Sequence, residues 1–217
     1  MLILPDSPNR QAIPFVGEVF REHEARTREL LPELPADLQL YVNDEGIIPE
    51  KGVGGYAYSP TIMTLGVRND FKDKSLQRDS LADTILHEGY HMVQGHTGNP
   101  TAPHRTALDN AVYEGCATKF ELVYGVSRDA PWGDYSKHSR EELEAWASKL
   151  ESFTDDVWRE NDGKLWRQWS FYDHEDGTRW KAYKAGVWLV DKYLAQTQED
   201  IRDLRHRTAA EILDRLT

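Results

Sequence analysis

Six consecutive residues near the middle of the chain read Leu86-His87-Glu88-Gly89-Tyr90-His91, and the last five of them form the pattern H-E-x-x-H. In an α-helix, residues four apart lie on one face, so His87 and His91 can direct two imidazoles toward one divalent ion. Glu88 is rotated by about 100° from His87 around the helix axis. Its carboxylate is therefore predicted to reach a metal-bound water and to act as a general base.

Two histidines do not complete a catalytic zinc site, which usually has three protein ligands and a fourth position for water. The best candidate for the third ligand is Glu114, 23 residues after His91, in a stretch whose apolar positions suit a half-buried helix. The other common zinc pattern is H-E-x-x-H-x-x-G-x-x-H, but this chain has Gln94 and Thr97 where that glycine and third histidine are needed. No methionine follows Met92, so the Met-turn of that class is also missing. A carboxylate ligand is favoured by elimination.

The composition indicates one folded domain, 1–217, with an α/β half at about 1–100 and a helical half at about 101–217. With 37 acidic and 26 basic residues the formal net charge is −11, which argues against nucleic acid and anionic membranes as partners. Cys116 is the only cysteine, so a cytoplasmic protein without disulfides is the simplest expectation. Because the chain shows no signal-peptide pattern and no apolar run of 18 residues, we expect neither export nor a membrane span.

Periodicity and turn residues predict an α+β fold with a small, mainly antiparallel sheet. Ser80 and Gly95 are expected to bound the helix that carries the H-E-x-x-H pattern. One of the two short strands that meet at Ser59-Pro60 is expected to be an exposed edge strand that binds an extended peptide. The predicted helices are 8–31, 80–94, 105–124, 139–159, 179–194 and 197–216, and the predicted strands are 38–42, 52–60 and 61–67.

Taken together, these residues resemble the gluzincin branch of zinc metalloproteases, of which thermolysin is the familiar member. Within that branch, the chain is most similar to the predicted zinc-dependent proteases of unknown function. The shared motifs are Gly54-Gly55-Tyr56, His87-Glu88-Gly89-Tyr90-His91, Glu114-Gly115-Cys116-Ala117 and Tyr183-x-x-Gly186. The resemblance implies a zincin-like fold in which His87, His91 and Glu114 are the zinc ligands. It also implies that Glu88 is the base and that Tyr183 donates a hydrogen bond to the tetrahedral intermediate.

The chain departs from thermolysin-like enzymes at one position. Those enzymes have an acid four residues after the ligand Glu, where it orients the first histidine, and this chain has Thr118 there. Asp83 and Asp109 are candidates for the orienting role, and an exposed capping carboxylate is the other interpretation of each. His96, near the end of the H-E-x-x-H helix, is interpreted as a surface or C-terminal capping residue rather than a ligand.

The function predicted from these observations is that of a zinc-dependent peptidase with one Zn²⁺ per chain. Its substrate would be a peptide or a protein, hydrolysed by a zinc-activated water with Glu88 as general base. Two alternatives remain open. One is a non-hydrolytic, zinc-containing module that binds peptides or senses metal, and the other is an amidase or aminopeptidase with the same ligands. The sequence leaves the oligomeric state open.

Overall fold

The computed structural model describes residues 2–98 and 106–216. They form two compact units. The first unit contains the residues up to 98 together with 120–128, and the second contains 106–119 and 129–216. The expectation that the whole chain is one domain stays a prediction.

The first unit contains a four-stranded sheet with the order β1-β2-β4-β3. Its strands are β1 (Leu2–Ile3), β2 (Gln39–Asn43), β3 (Val53–Ala57) and β4 (Ile62–Val67). β1 pairs with β2 and β2 with β4 in parallel, whereas β3 pairs with β4 antiparallel. The α+β class is confirmed. The expectation of a mainly antiparallel sheet is wrong, because helix α1 (Ile13–Leu30) is a crossover that returns the chain parallel to β1 and only β3–β4 is a hairpin.

Helix α2 (Lys74–Gln94) carries the H-E-x-x-H pattern and begins earlier than predicted. Its N-cap is Asp73, whose side chain accepts a hydrogen bond from the N–H of Leu76 at 3.0 Å. Ser80, the predicted cap, lies inside the helix and is buried. The predicted stop is confirmed, because Gly95 follows the last turn with a left-handed backbone and a φ of 77°.

Helix α2 packs against both β3 and α1, so most of its surface is buried. The core of this unit is apolar and includes Val16, Phe20, Leu40, Leu65, Leu81, Ile85 and Tyr90. Burying each of these side chains contributes about 1.5–3 kcal/mol to stability. The core therefore fixes α2 against the sheet, and the polar groups that α2 buries have fixed positions.

The second unit is helical. Helix α3 runs through both units, with its beginning in the second and its end in the first. The predicted start of this helix, Arg105, lies outside the described residues. The helices are α3 (Ala107–Tyr124), α4 (Arg140–Glu151), α5 (Asp155–Ser170), α6 (Lys181–Thr197) and α7 (Ala209–Leu216), with a 3-10 helix at Asp203–His206. The predicted last helix is therefore a 3-10 turn followed by the short α7.

The predicted helix 139–159 is two helices. Its capping box is confirmed, because Ser139 Oγ accepts a hydrogen bond from the N–H of Glu142 at 3.2 Å and the Glu142 carboxylate accepts one from the N–H of Ser139 at 3.4 Å. A second cap follows where the prediction had none. Thr154 Oγ1 accepts a hydrogen bond from the N–H of Val157 at 3.4 Å, so this threonine starts α5.

Helices α3 and α6 cross where two glycines face each other. A Cβ atom at Gly186 would lie 1.8 Å from the carbonyl oxygen of Ala111, and one at Gly115 would lie 2.3 Å from the carbonyl carbon of Gly186. Only glycine permits so close an approach of two backbones. Both glycines belong to the motifs quoted above, and their contact fixes the middle of α3, where Glu114 lies.

Within residues 2–98 and 106–216, no helix is long and apolar enough to cross a membrane. The cytoplasmic location stays a prediction. So does the expectation that neither nucleic acid nor membrane is a partner.

Candidate metal centre

The two histidines of the H-E-x-x-H pattern meet through their ring nitrogens. Nε2 of His87 lies 3.1 Å from Nε2 of His91. The residues are 7% and 4% exposed, respectively. In a tetrahedral zinc site with bonds of 2.0–2.1 Å, two ligand nitrogens lie roughly 3.3 Å apart. The separation of these nitrogens therefore fits a shared metal ion.

The orientation of His87 is set by the carboxylate of Glu121, for which no orienting role was predicted. Oε2 of Glu121, at the C-terminal end of α3, lies 3.1 Å from Nδ1 of His87. The Glu121 side chain is only 2% exposed. A carboxylate accepts this bond, so Nδ1 of His87 carries the proton and Nε2 keeps the lone pair that a metal needs. Glu121 thus fixes both the tautomer and the ring plane of His87.

Burial and the neighbouring charged groups shift the pKa of the Glu121 carboxyl in opposite directions. Burial raises the pKa of the Glu121 carboxyl above its usual value, while the hydrogen bond with His87 acts in the opposite direction. The positive charge of Lys51, itself buried, also lowers this pKa, and the charge of Asp83 raises it. The net effect is a raised pKa of the Glu121 carboxyl, with burial as the largest cause.

The two candidates for the orienting role, Asp83 and Asp109, both accept hydrogen bonds from backbone N–H groups. Asp83 Oδ2 accepts a hydrogen bond from the N–H of Ser127 at 3.0 Å, and its carboxylate also accepts one from the N–H of Val126, so Asp83 caps the turn after α3. Asp109 Oδ2 accepts a hydrogen bond from the N–H of Thr106 at 3.3 Å, near the start of α3. Both acids have backbone-capping contacts, as the alternative interpretation held. Both are buried rather than exposed.

Glu114, the candidate third ligand, lies on α3 seven residues before Glu121. Seven residues are about two helical turns, so both glutamates share one face of α3. Among the described residues, His87, His91 and Glu114 form a group that could hold one metal ion, because one ligand atom of each lies within 4.8 Å of the others. Both histidines are buried and Glu114 is half-buried. The chemistry of two imidazoles and one carboxylate is that of a catalytic zinc site with an open position.

Glu88, the candidate base, is buried against the edge strand β3. A Cβ atom at Gly55 would lie 2.6 Å from Cγ and 2.9 Å from Oε1 of Glu88. The absence of a side chain at Gly55 therefore makes room for the Glu88 carboxylate. As a result, the backbone of the edge strand lies directly beside the candidate base.

Most of the chain matches the model of one known protein family. A family model described as a predicted Zn-dependent protease, DUF2268, matches residues 16–214. The chain belongs to the DUF2268 family. This confirms the resemblance to predicted zinc-dependent proteases, and the assignment to the gluzincin branch stays a prediction. No curated protein and no solved structure matches this DUF2268 protein.

The other predicted site residue of this DUF2268 protein is Tyr183. It is half-buried in the first turn of α6, three residues before Gly186. Residues three apart share one face of a helix, so Tyr183 lies on the face of α6 that crosses α3. Its role as a hydrogen-bond donor stays a prediction.

His96 was interpreted as a surface or capping residue, and its surroundings are more specific. Its ring centroid lies 4.8 Å from that of His91, and the residue is half-buried. Its backbone N–H donates to the carbonyl of His91 at 2.9 Å, at the C-terminal end of α2. His96 thus packs on a candidate ligand but is not part of the group that could hold the metal.

Proposed function

We propose that this protein is a zinc-dependent peptidase in which His87, His91 and Glu114 hold the ion. The observation that carries the proposal is the convergence of two imidazole nitrogens 3.1 Å apart with a carboxylate in the same small group. The description of the family as predicted Zn-dependent proteases supports the same activity. A single ion per chain would leave one coordination position for water.

The proposed reaction is hydrolysis of a peptide bond. When bound, zinc would supply a Lewis acid that polarises the scissile carbonyl and makes water more acidic. Glu88 accepts one proton from the attacking water as the new C–O bond forms. The same carboxyl then gives this proton to the leaving amine as the C–N bond breaks. Because Glu88 is packed against β3, its carboxylate is held at one place while it performs both transfers.

The position of β3 supports a peptide as the substrate. β3 is the edge strand of the four-stranded sheet, in which it pairs with β4. Edge strands bind extended peptides by adding a strand to the sheet. A peptide bound along β3 passes next to Glu88, because the backbone at Gly55 lies against this side chain.

Tyr183 is the proposed donor to the oxyanion of the tetrahedral intermediate. Its place on the α3-facing side of α6 supports this role, because Glu114 lies on α3 next to Gly115, where the two helices cross. A phenol that donates to a developing negative charge stabilises the transition state more than the substrate.

The same ligands would serve an amidase or an aminopeptidase, which cleave amide bonds with the same chemistry. A non-hydrolytic module would require another ligand in the open position, as in closed structural zinc sites. In the described part of the chain, the group that could hold a metal has three members.

The proposal is tested by measuring the zinc content of the purified protein and its activity on a diverse peptide library. We expect about one zinc per chain and cleavage of peptides by the parent. The double variant His87→Ala/His91→Ala should hold no zinc at this site. Stoichiometric zinc in that variant would contradict the proposed ligands, and a zinc-loaded parent that cleaves no peptide would contradict the peptidase function.

A further inference from the structure

The outer edge of β3 presents the backbone groups of every second residue. Tyr58 N–H donates to the carbonyl of Ile62 at 3.0 Å, and Arg68 N–H donates to the carbonyl of Gly52 at 2.9 Å. In an antiparallel pair, hydrogen-bonded residues alternate with residues whose N–H and C=O point away from the partner strand. The even-numbered residues of this stretch therefore bond to the β4 side. Three residues of β3 point their backbone groups outward: Val53, Gly55 and Ala57.

Two of these three outward positions are occupied by other parts of the first unit. The N–H of Ile48 donates to the carbonyl of Val53 at 2.9 Å, and these residues form an antiparallel bridge. At the other end, the N–H of Gly98 donates to the carbonyl of Ala57 at 3.0 Å. A Cβ atom at Gly98 would lie 2.9 Å from the carbonyl oxygen of Tyr58, so the approach of this segment requires glycine.

Between these two contacts, one outward position remains. Gly55 is exposed, and no hydrogen bond within the described part of the chain uses its outward N–H or C=O. Val53 and Ala57 are four residues apart, which is about 13 Å along a strand. The open part of the edge is therefore as long as three residues of an extended peptide, and it is centred on the position beside Glu88.

We propose that the substrate pairs with β3 through one residue only. The N–H and C=O of that residue bond to the C=O and N–H of Gly55 in antiparallel pairing, next to the scissile bond. On either side the substrate leaves the edge, because Ile48 and Gly98 hold the adjacent positions. The substrates are accordingly short peptides and irregular chain segments rather than long extended strands. This inference rests on the proposed peptidase function.

The inference is tested by the affinity of the zinc-loaded Glu88→Gln protein for peptides, measured by calorimetry. In a series of three to ten residues built around one cleaved sequence, we expect affinity to stop rising at about four residues. Replacing backbone amides by esters, one at a time, should weaken binding about tenfold at one position and less than about twofold elsewhere. Affinity that rises through the whole series, or esters that weaken binding at two alternating positions, would overturn the inference.

A substitution at Gly98 tests whether this segment keeps longer peptides from pairing with the outer edge of β3. Gly98→Ala forces the segment away from Tyr58, so longer peptides should gain affinity and a second ester-sensitive position should appear two residues from the first. Gly17→Ala is the matched control, because a Cβ atom there meets its nearest neighbours at 3.5 and 3.6 Å, which is ordinary contact. An unchanged length dependence in Gly98→Ala would overturn the inference.

The outcomes separate this inference from the proposed function. If the zinc-loaded parent cleaves peptides and several ester positions matter, the inference is wrong and the peptidase function stands. If the parent cleaves no peptide and the Glu88→Gln protein binds none, the peptidase function is wrong and the inference falls with it.

Discussion

Glu121 Oε2 accepts a hydrogen bond from His87 Nδ1 over 3.1 Å, and this contact connects the end of α3 to the middle of α2. The same helix carries Glu114 two turns earlier. In the proposed centre, α3 therefore supplies one ligand and also the group that orients another. A shift of α3 along its axis would disturb both, so the two glutamates are expected to act as a unit.

The first prediction concerns Glu121. Glu121→Ala removes the acceptor for His87 Nδ1–H and lets the ring rotate, so zinc affinity should fall by about 10- to 100-fold. A competition titration with a chelator measures this loss without any assay of hydrolysis. Glu121→Gln keeps an acceptor oxygen and should recover part of the zinc affinity. A purely structural role of Glu121 would not predict this recovery.

Thr118→Val is the control for Glu121. Thr118 lies on the same helix, is fully buried, and its hydroxyl makes no hydrogen bond within the described residues. Removing this hydroxyl should leave zinc affinity unchanged. Equal zinc affinity in Glu121→Ala and in the parent would mean that another group orients His87.

The second prediction concerns Glu114, the proposed third ligand. Glu114→Gln preserves the shape of the side chain and removes its charge, so zinc affinity should fall by at least about tenfold. A competition titration with a chelator measures the zinc affinity, and circular dichroism shows whether the variant is folded. A folded variant with weaker zinc binding has lost a ligand. If Glu114→Gln holds zinc as tightly as the parent, a different residue completes the site.

The local parts of the site could be predicted from the sequence. The spacing of His87 and His91 follows from the helical period, and Gly95 ends the helix through its backbone conformation. Glu121 was missed because its partner is 34 residues away in the chain. The available signal was that Glu121 shares the helical face of Glu114. The position four residues after Glu114, where thermolysin-like enzymes have the orienting acid, is Thr118 in this chain.

The start of α2 and the order of the strands also depend on long-range contacts that the local sequence does not predict. Ser80 is a good capping residue, yet the helix extends back to Lys74 because the Gln77 side chain donates to the carbonyls of Gly52 at 2.9 Å and Arg68 at 2.7 Å. These tertiary bonds stabilise a turn that local preference did not predict. The parallel pairing of β2 with β4 likewise depends on which strand lies at the edge, and no residue pattern in either strand specifies this order.

The third prediction concerns Glu88. Glu88→Gln should keep zinc and fold, and should reduce peptide hydrolysis by at least about 10²-fold, because an amide cannot accept the proton of water. Zinc content and kcat/KM on a cleaved peptide are the measurements. A variant that keeps both its zinc and the activity of the parent would show that Glu88 is not the base.

The fourth prediction concerns a buried ion pair in the second unit. Lys181 Nζ donates to Asp173 Oδ2 at 2.6 Å, and the two side chains are 6% and 4% exposed. Burial by itself raises the pKa of Asp173, but the hydrogen bond from Lys181 and other donors outweighs it, so the net pKa is lowered. A lowered carboxyl pKa in the folded state gives stability that is present above the unfolded pKa, near 3.9, and is lost as the pH falls through the folded pKa.

Asp173→Asn should therefore destabilise the protein by about 1–3 kcal/mol at pH 7, and by less as the pH falls below about 4. Urea denaturation at several pH values measures this difference. Glu144→Gln is the control, because its pair with Arg140 is exposed and should contribute less than about 1 kcal/mol. A penalty for Asp173→Asn that does not change with pH would show that the charge of Asp173 is not what stabilises this pair.

The last prediction concerns Gly55, where the fold and the proposed chemistry meet. Gly55→Ala places a Cβ atom 2.6 Å from Glu88 Cγ and equally close to Thr84 Cγ2, so the Glu88 carboxylate must move. Because a displacement of about 1 Å can cost about 10²-fold in rate, kcat should fall by roughly this factor while zinc binding is kept. Overpacking should also lower the stability by about 1–3 kcal/mol. Gly17→Ala adds the same methyl group to the same unit without a close contact and should change neither quantity. Full activity in Gly55→Ala would mean that the substrate and the Glu88 carboxylate do not meet at this point of β3.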